Sequence, residues 1–237
     1  NRSGLRDKIV SVIAKDFSNI LWIGTWNYDE KGLYKIIIDN RKFKLYSRNQ
    51  YDSPKLSGYD ILSISMDRKN NLLLGTRGNG LNIYDREDQS VKVFTKNSTN
   101  NNLPDNTIYE ILTLHNQDIA IGTSKGVVIF KKKSNGFVSL QDYFSLPKNK
   151  LFYENSVSSI TEDSDHNIWI GTNRGLHQVN KRFSKSYYHK ADMKGGINSN
   201  EIYCLLEDRN KHIWIGTSNG LNVYNPGIDE FKVFRKI

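Results

Sequence analysis

Cysteine, proline, methionine, acidic charge and long apolar runs are all scarce in this 237-residue sequence. A single cysteine, Cys204, excludes a disulfide framework and a cysteine-built zinc site. Cys204 lies in an apolar stretch and reads as a small buried residue. The longest apolar runs are four or five residues, far below the roughly 18 needed to span a bilayer. No signal peptide is visible, and the chain starts at Asn1, which reads as a mature or excised segment. Acidic residues number 25 against 34 Lys and Arg, a net charge of +9, which points to an anionic partner. Apart from Lys131, Lys132 and Lys133, however, the cations are scattered, as on an ordinary solvated surface. They form neither a stripe nor an aromatic-interleaved patch, which argues against nucleic acid. Aromatic residues are plentiful, with 13 Tyr, 10 Phe and 4 Trp, so the chain is not disordered.

What the sequence has instead is a repeat. Leu21-Trp22-Ile23-Gly24-Thr25 returns as Leu72-Leu73-Leu74-Gly75-Thr76 and as Ile119-Ala120-Ile121-Gly122-Thr123. Ile168-Trp169-Ile170-Gly171-Thr172 and Ile213-Trp214-Ile215-Gly216-Thr217 complete the series. The glycines stand 51, 47, 49 and 45 residues apart, within the range of propellers, solenoids and arrays. In each unit an apolar stretch comes first, such as Ile61 to Met66 or Ile202 to Glu207. A polar turn follows, opened by Asp16, Asp67, Asp163 or Asp208 in four of the units. The Gly-Thr stretch, a Gly-Leu stretch such as Gly80-Leu81-Asn82-Ile83-Tyr84, and a closing piece such as Phe137 to Leu140 complete the unit.

These stretches are four to seven residues long, rich in Ile, Val, Leu, Tyr and Phe, and bounded by Asn, Asp and Gly. The connections are too short for crossover helices, so adjacent strands are antiparallel. Four such strands per unit describe an all-β fold, a β-propeller of four-stranded antiparallel blades with five blades present. The blades run approximately over 8–50, 58–98, 105–145, 155–192 and 200–237, within one propeller segment, 1–237. A blade packs both faces on its neighbours, so its central strand is apolar on both sides. The Trp of the motif is expected to fill the wedge between blades, with Leu73 and Ala120 in its place in units two and three. The Gly is expected to let the chain leave the strand.

Val157 to Val179, followed closely by Ile202 to Tyr224, resembles the two-component regulator propeller repeat: Val-x-x-Ile-x-x-Asp, a polar turn, Ile-Trp-Ile-Gly-Thr, two residues, Gly-Leu and a further strand. The third unit departs most, with Leu114-His115-Asn116 in place of the Asp turn and Gly126-Val127 in place of Gly-Leu. The resemblance implies a periplasmic sensor region of a Bacteroidetes hybrid two-component system, the ectodomain of an inner-membrane protein. Its relatives carry two seven-bladed propellers, a histidine kinase and a DNA-binding response regulator. The five blades are accordingly expected to be an arc of a seven-bladed propeller, a closed five-bladed ring being the alternative. An arc leaves two blade faces open and predicts association with a neighbouring propeller or with a second protomer, as in a homodimer.

Antiparallel order alone places the loops after the second strands on one face. That face collects Trp26, Asn27 and Tyr28, then Arg77 and Asn79, Lys125, and Asn173 with Arg174. Two aromatics beside amide and carboxylate groups suit a sugar, whose apolar face stacks on a ring. Arg77, Lys125 and Arg174 suit a carboxylate or sulfate on it. These eight residues are the expected ligand site, and an oligosaccharide, acidic where those cations engage it, is the expected ligand.

No cofactor, metal or catalytic residue is expected. There is no phosphate loop and no nucleophile motif. Asp163-Ser164-Asp165-His166-Asn167 opens like a calcium loop, but Ile168 and Arg174 stand where Gly and Glu are needed. The histidines at 115, 166, 177, 189 and 212 show no metal spacing along the chain. The leading expectation is a non-enzymatic sensor module. The alternatives are a propeller scaffold whose ligand binds elsewhere, and a propeller lyase or glycosidase, for which no carboxylate pair can be named.

Overall fold

Strands form where the apolar stretches fall between their Asn, Asp and Gly boundaries. The computed structural model describes residues 9–26, 32–37, 42–46, 54–146, 155–189 and 196–234. Twenty strands make five four-stranded antiparallel sheets, each in simple up-and-down order. The first sheet holds β1 (Ile9–Lys15), β2 (Ile20–Trp26), β3 (Leu33–Ile37) and β4 (Lys42–Tyr46). The second holds β5 (Ile61–Met66), β6 (Leu72–Thr76), β7 (Leu81–Tyr84) and β8 (Val91–Phe94). The third holds β9 (Ile108–Thr113), β10 (Ile119–Thr123), β11 (Gly126–Lys131) and β12 (Gly136–Ser139). The fourth holds β13 (Val157–Glu162), β14 (Ile168–Thr172), β15 (Gly175–Val179) and β16 (Ser184–Tyr187). The fifth holds β17 (Ile202–Glu207), β18 (Ile213–Thr217), β19 (Gly220–Asn225) and β20 (Glu230–Phe234). The chain divides into two compact units, Asn1–Thr113 and Leu114–Ile237.

Within the first unit the opening strands β1, β5 and β9 lie side by side; within the second, the opening strands β13 and β17 do the same, and β13 also lies along β10, the second strand of the third sheet. The motif glycine makes this approach possible. A Cβ on Gly75 would stand 2.7 Å from Ile108 Cγ2, and one on Gly171 would stand 2.5 Å from Ile202 Cγ2. Gly24 and Ile61, and Gly122 and Val157, repeat the arrangement. The glycine is therefore a seat for the first residue of the next sheet. It is not an exit from the strand: Gly171 pairs with Leu176 in an unbroken β14–β15 ladder, and Gly75 still pairs with Ser63 beside a bulge in β5. The threonine after it closes the next hairpin, its hydroxyl donating to Gly32, Gly80, Gly126, Gly175 or Gly220 carbonyls at 2.7–3.1 Å.

The aspartates that open the polar turns cap them, as their position suggests. Asp163 Oδ1 accepts the amides of Asp165 (3.0 Å) and Asn167 (2.8 Å), and Asp16, Asp67 and Asp208 do likewise two and four residues on. In three sheets the other carboxylate oxygen accepts the Trp indole N–H six residues later. The distances are 2.9 Å for Asp16–Trp22, 2.7 Å for Asp163–Trp169 and 2.9 Å for Asp208–Trp214. The indole then stacks on the closing strand, Trp22 on Tyr46, Trp169 on Tyr187 and Trp214 on Phe234. Trp169 also lies in one buried cluster with Ile202, Ile213 and Ile215 of the fifth sheet, its ring 5.2 Å from that of Tyr224, and so fills the wedge between sheets. Where Trp is lost, the second sheet keeps its aspartate and the third does not. Leu73 leaves Asp67 Oδ2 to the Asn71 amide (3.2 Å), and in the third sheet Leu114 and Ala120 are both buried and apolar.

Three expectations need correction. The closing strand of the third sheet ends at Ser139, and Leu140 begins a short helix, α1 (Leu140–Phe144). The Ser139 hydroxyl caps it by accepting the Asp142 amide at 3.0 Å, and Leu140 and Phe144 are buried. Trp26 is the last residue of β2 rather than part of the loop after it. Cys204 is exposed, not buried. It lies over Gly216, the seat that in sheets one to four receives the next sheet, and among the described residues no later sheet covers it.

Candidate functional site

The expected rim residues are found at the ends of hairpins, held there by the backbone. In the first unit the Arg77 guanidinium carbon lies 4.0 Å from the centroid of the Trp26 ring. Arg77 is anchored by its own amide, which donates to the Asp60 carbonyl at 2.9 Å. Beside it Asn79 is fixed by Ser57, whose hydroxyl donates to the Asn79 carbonyl at 2.7 Å. The buried Asn82 locks Ser57 in turn, accepting its amide and donating to its hydroxyl, both at 2.8 Å. Trp26, Arg77 and Asn79 thus share one unit, with the arginine laid on the indole. Asn27 and Tyr28 lie outside the described residues.

In the second unit Lys125 sits on the β10–β11 hairpin, and Asn173 and Arg174 sit on the β14–β15 hairpin; all three are exposed. The amides of Lys125 and Arg174 donate to the preceding threonine hydroxyls at 3.1 and 3.0 Å, so the two hairpins have one conformation. The Asn173 amide donates to the Ser156 carbonyl at 3.1 Å. In the fifth sheet Asn198 takes the place of Ser57. It accepts from Thr217 and from the buried Asn222, each at 2.7 Å.

Two clefts were not legible as sites in the sequence. One, in the first unit, has a volume of about 520 Å³ and is lined by Lys35, Lys44, Lys69 and Arg86 over the edges of Trp22 and Tyr46. Arg86 donates to Asp16 at 2.7 Å. Burial pushes the Asp16 carboxyl up, but the Trp22 indole, the Ile20 amide and Arg86 outweigh it and hold its pKa below the usual range. Desolvation, then the charges of Arg86 and Lys44, lower the Lys35 pKa. This cleft is cationic and built on a fixed ion pair.

The other cleft, in the second unit, has a volume of about 800 Å³. At its wall His115, Glu162 and His166 bring three ligand-type atoms within 4.8 Å of one another. The spacing of the histidines along the chain gives no hint of this. The signal lies one repeat apart: the turn of each sheet meets the opening strand and turn of the next. Phe17 donates to Asn70 (3.3 Å), His115 to Glu162 (2.8 Å) and Ser164 to Glu207 (3.0 Å). Buried elsewhere in this unit, His177 is driven down to about 4 by desolvation and contacts Ser186 Oγ through Nδ1 at 2.9 Å.

The family model for the two component regulator propeller matches residues 154–174 and 196–219. None of the curated proteins matches the sequence. Among solved structures, the extracellular domain assigned to a hybrid two component system from B. thetaiotaomicron is 24% identical, with a TM-score of 0.76 over 98% of this chain and 31% of that one. PorZ, a surface component of the type-IX secretion system of Porphyromonas gingivalis, is 17% identical, with a TM-score of 0.67 over 95% of this chain and 33% of PorZ. A streptogramin B lyase is 10% identical, with a TM-score of 0.65 over 95% of this chain and 68% of the lyase. The chain spans about a third of the length of the first two. Those likenesses establish the fold, a propeller of four-stranded blades. Among the described residues no helix is long and apolar enough to cross a membrane.

Proposed function

We propose that this chain, which carries two-component regulator propeller repeats, is a ligand-recognition module of a hybrid two-component sensor. It acts in the periplasm as the ectodomain of an inner-membrane protein, and its ligand is an acidic oligosaccharide. The Trp26–Arg77 pair carries the ligand class. An arginine laid on an indole keeps its planar fork extended, and that fork matches a carboxylate or sulfate. The same stack takes one indole face from a neutral pyranose, which favours a charged sugar over an uncharged one. Asn79, beside Arg77 in the same unit, supplies a further polar group.

The module binds and does not transform its ligand. Binding shifts the arrangement of neighbouring propellers or protomers, and a histidine kinase elsewhere in the parent protein reads the shift. That requires the ligand to prefer one arrangement over the other. Calorimetry with matched panels of neutral and uronic-acid oligosaccharides tests this: acidic members bind, and Arg77→Ala weakens them at least tenfold. Equal heats for both panels, or none, would refute the ligand class.

A second reading, a scaffold holding a protomer or neighbouring propeller, is favoured by a different observation. Ile9 and Ile13 on β1, and Tyr203 and Leu206 on β17, are large, apolar and exposed. If Arg77→Ala leaves the response of the complete sensor intact while Leu206→Lys abolishes its association in sedimentation, the scaffold reading replaces the first.

A further inference from the structure

We infer that His115, Glu162 and His166 form a binding site for a divalent transition-metal ion of the zinc class. The site stands independently of the ligand reading above. Each residue is placed by the repeat. His115 follows the buried Leu114 in the β9–β10 turn, Glu162 ends β13, and His166 occupies the left-handed position of the next turn at φ 64°. The same position is left-handed at Asn70 and Lys211, so His166 is directed by the turn and not by its own side chain.

The carboxylate is the fixed member. Glu162 is nearly buried, with 12% of its side chain exposed, and its Oε2 accepts the His115 amide at 2.8 Å. That bond orients the other oxygen, as a second-shell donor orients a metal-ligating carboxylate. Oε1 faces His115 Nδ1 and stands 3.3 Å from His166 Nδ1. That separation is close to the roughly 3.3 Å edge expected of a tetrahedron with bonds near 2.0–2.1 Å. The two rings stack at 3.6 Å between centroids, and both Nδ1 atoms face the same carboxylate oxygen.

Two imidazole nitrogens and one carboxylate oxygen suit zinc, cobalt, nickel or copper, whereas calcium and magnesium call for oxygen. Both histidines are half exposed, which leaves further coordination positions open to the cleft. Lys131, Lys181 and Arg182 line that cleft, so water or an anion is the matching exogenous ligand.

Zinc titration of the tag-free chain by calorimetry, with cobalt spectroscopy as a second readout, tests the site. One equivalent of zinc binds, calcium and magnesium at the same concentration do not, and cobalt gives the visible bands of a nitrogen- and oxygen-ligated ion. Loss of even a second-shell partner costs about 10- to 100-fold in affinity, so His115→Ala and His166→Ala each weaken zinc by at least about 100-fold. Both side chains are half exposed, and circular dichroism verifies that the variants fold. Absence of zinc binding at millimolar concentration overturns the inference. So does one-equivalent binding that survives both substitutions.

Discussion

His177 is the side chain whose titration should be read most directly in the stability of the fold. It is 1% exposed, lies in the middle of β15, and is held neutral by desolvation with a pKa of about 4. In the unfolded chain an imidazole titrates near 6.5. Between pH 6.5 and pH 4 the unfolded chain therefore binds a proton that the folded chain refuses. Stability falls as pH falls through that window and levels off below it. The difference corresponds to about 3 kcal/mol, or roughly 6–12 °C in melting temperature for a chain of this size. The curve of the unaltered protein alone does not isolate the effect, because Glu110 opposes it. Burial raises the Glu110 carboxyl to about 7, so between its unfolded value of 4.5 and pH 7 the folded state binds the extra proton. His177→Asn separates the two, since Asn82 and Asn222 fill the equivalent position fully buried in the second and fifth sheets. Urea unfolding of both proteins from pH 8 to pH 4 gives the measurement. The stability gap, variant minus unaltered protein, should move in favour of the variant by about 3 kcal/mol between pH 7 and pH 4. Parallel curves, with the gap constant to within about 0.5 kcal/mol, would show that His177 is not refused its proton in the folded state.

Glu110→Gln should do the reverse: its advantage over the unaltered protein grows as pH rises from 4.5 through 7, measured in the same titration. Asp163→Ala removes the acceptor for the Trp169 indole and two turn amides, and should cost about 3 kcal/mol or more in chemical denaturation, since each buried donor left unpaired costs about 1–3 kcal/mol. Gly171→Ala drives a methyl group into Ile202 Cγ2, an overpacking cost of about 1–3 kcal/mol, and Ile202→Ala, which removes that methyl, should cost less in the Gly171→Ala background than on its own in a double-mutant cycle.

The sheets were legible because both faces of a blade are buried, which writes each central strand as an apolar run closed by Gly-Thr. The span Ile61–Met66 was read from the sequence without error, and so was Ile202–Glu207. The turn aspartates were legible too, because Asp capping is local. What the sequence hid is what depends on the next sheet. Gly171 reads as a flexible point until Ile202 is seen upon it. Cys204 reads as buried because its neighbours are apolar, yet burial at that position requires a sheet laid over Gly216. Trp26 reads as a free sugar platform until Arg77, half a hundred residues on, is found covering it. Helix α1 was missed because Ser139 and Asp142 form a cap where the repeat elsewhere continues a strand.

The third repeat shows why chemistry gathers at one turn. Where the Asp–Trp pair is present, the carboxylate is committed twice, to the turn amides and to the indole, and the position after it still reaches the next sheet, as Ser164 does to Glu207. In the third repeat both partners are gone. Leu114 packs inward in place of the aspartate, and the turn keeps its shape through the Leu114 amide to the Asp118 carbonyl (2.9 Å) and the Asp118 amide to Asn116 Oδ1 (3.0 Å). Tyr143 of the unforeseen helix reinforces it by donating to Asp118 Oδ2 at 3.0 Å. The turn is thus stabilised from its far end, and His115 at its near end is left to meet Glu162 and His166. A repeat that departs from its siblings yet preserves their geometry has exchanged one set of hydrogen bonds for another. Restoring the pair with Leu114→Asp and Ala120→Trp should re-centre the turn on its first residue. Zinc affinity should then be unchanged, because Ser164 meets Glu207 in the same way beside an intact Asp163–Trp169 pair, and a fall would show that the departure in this repeat is what places His115 in the cluster.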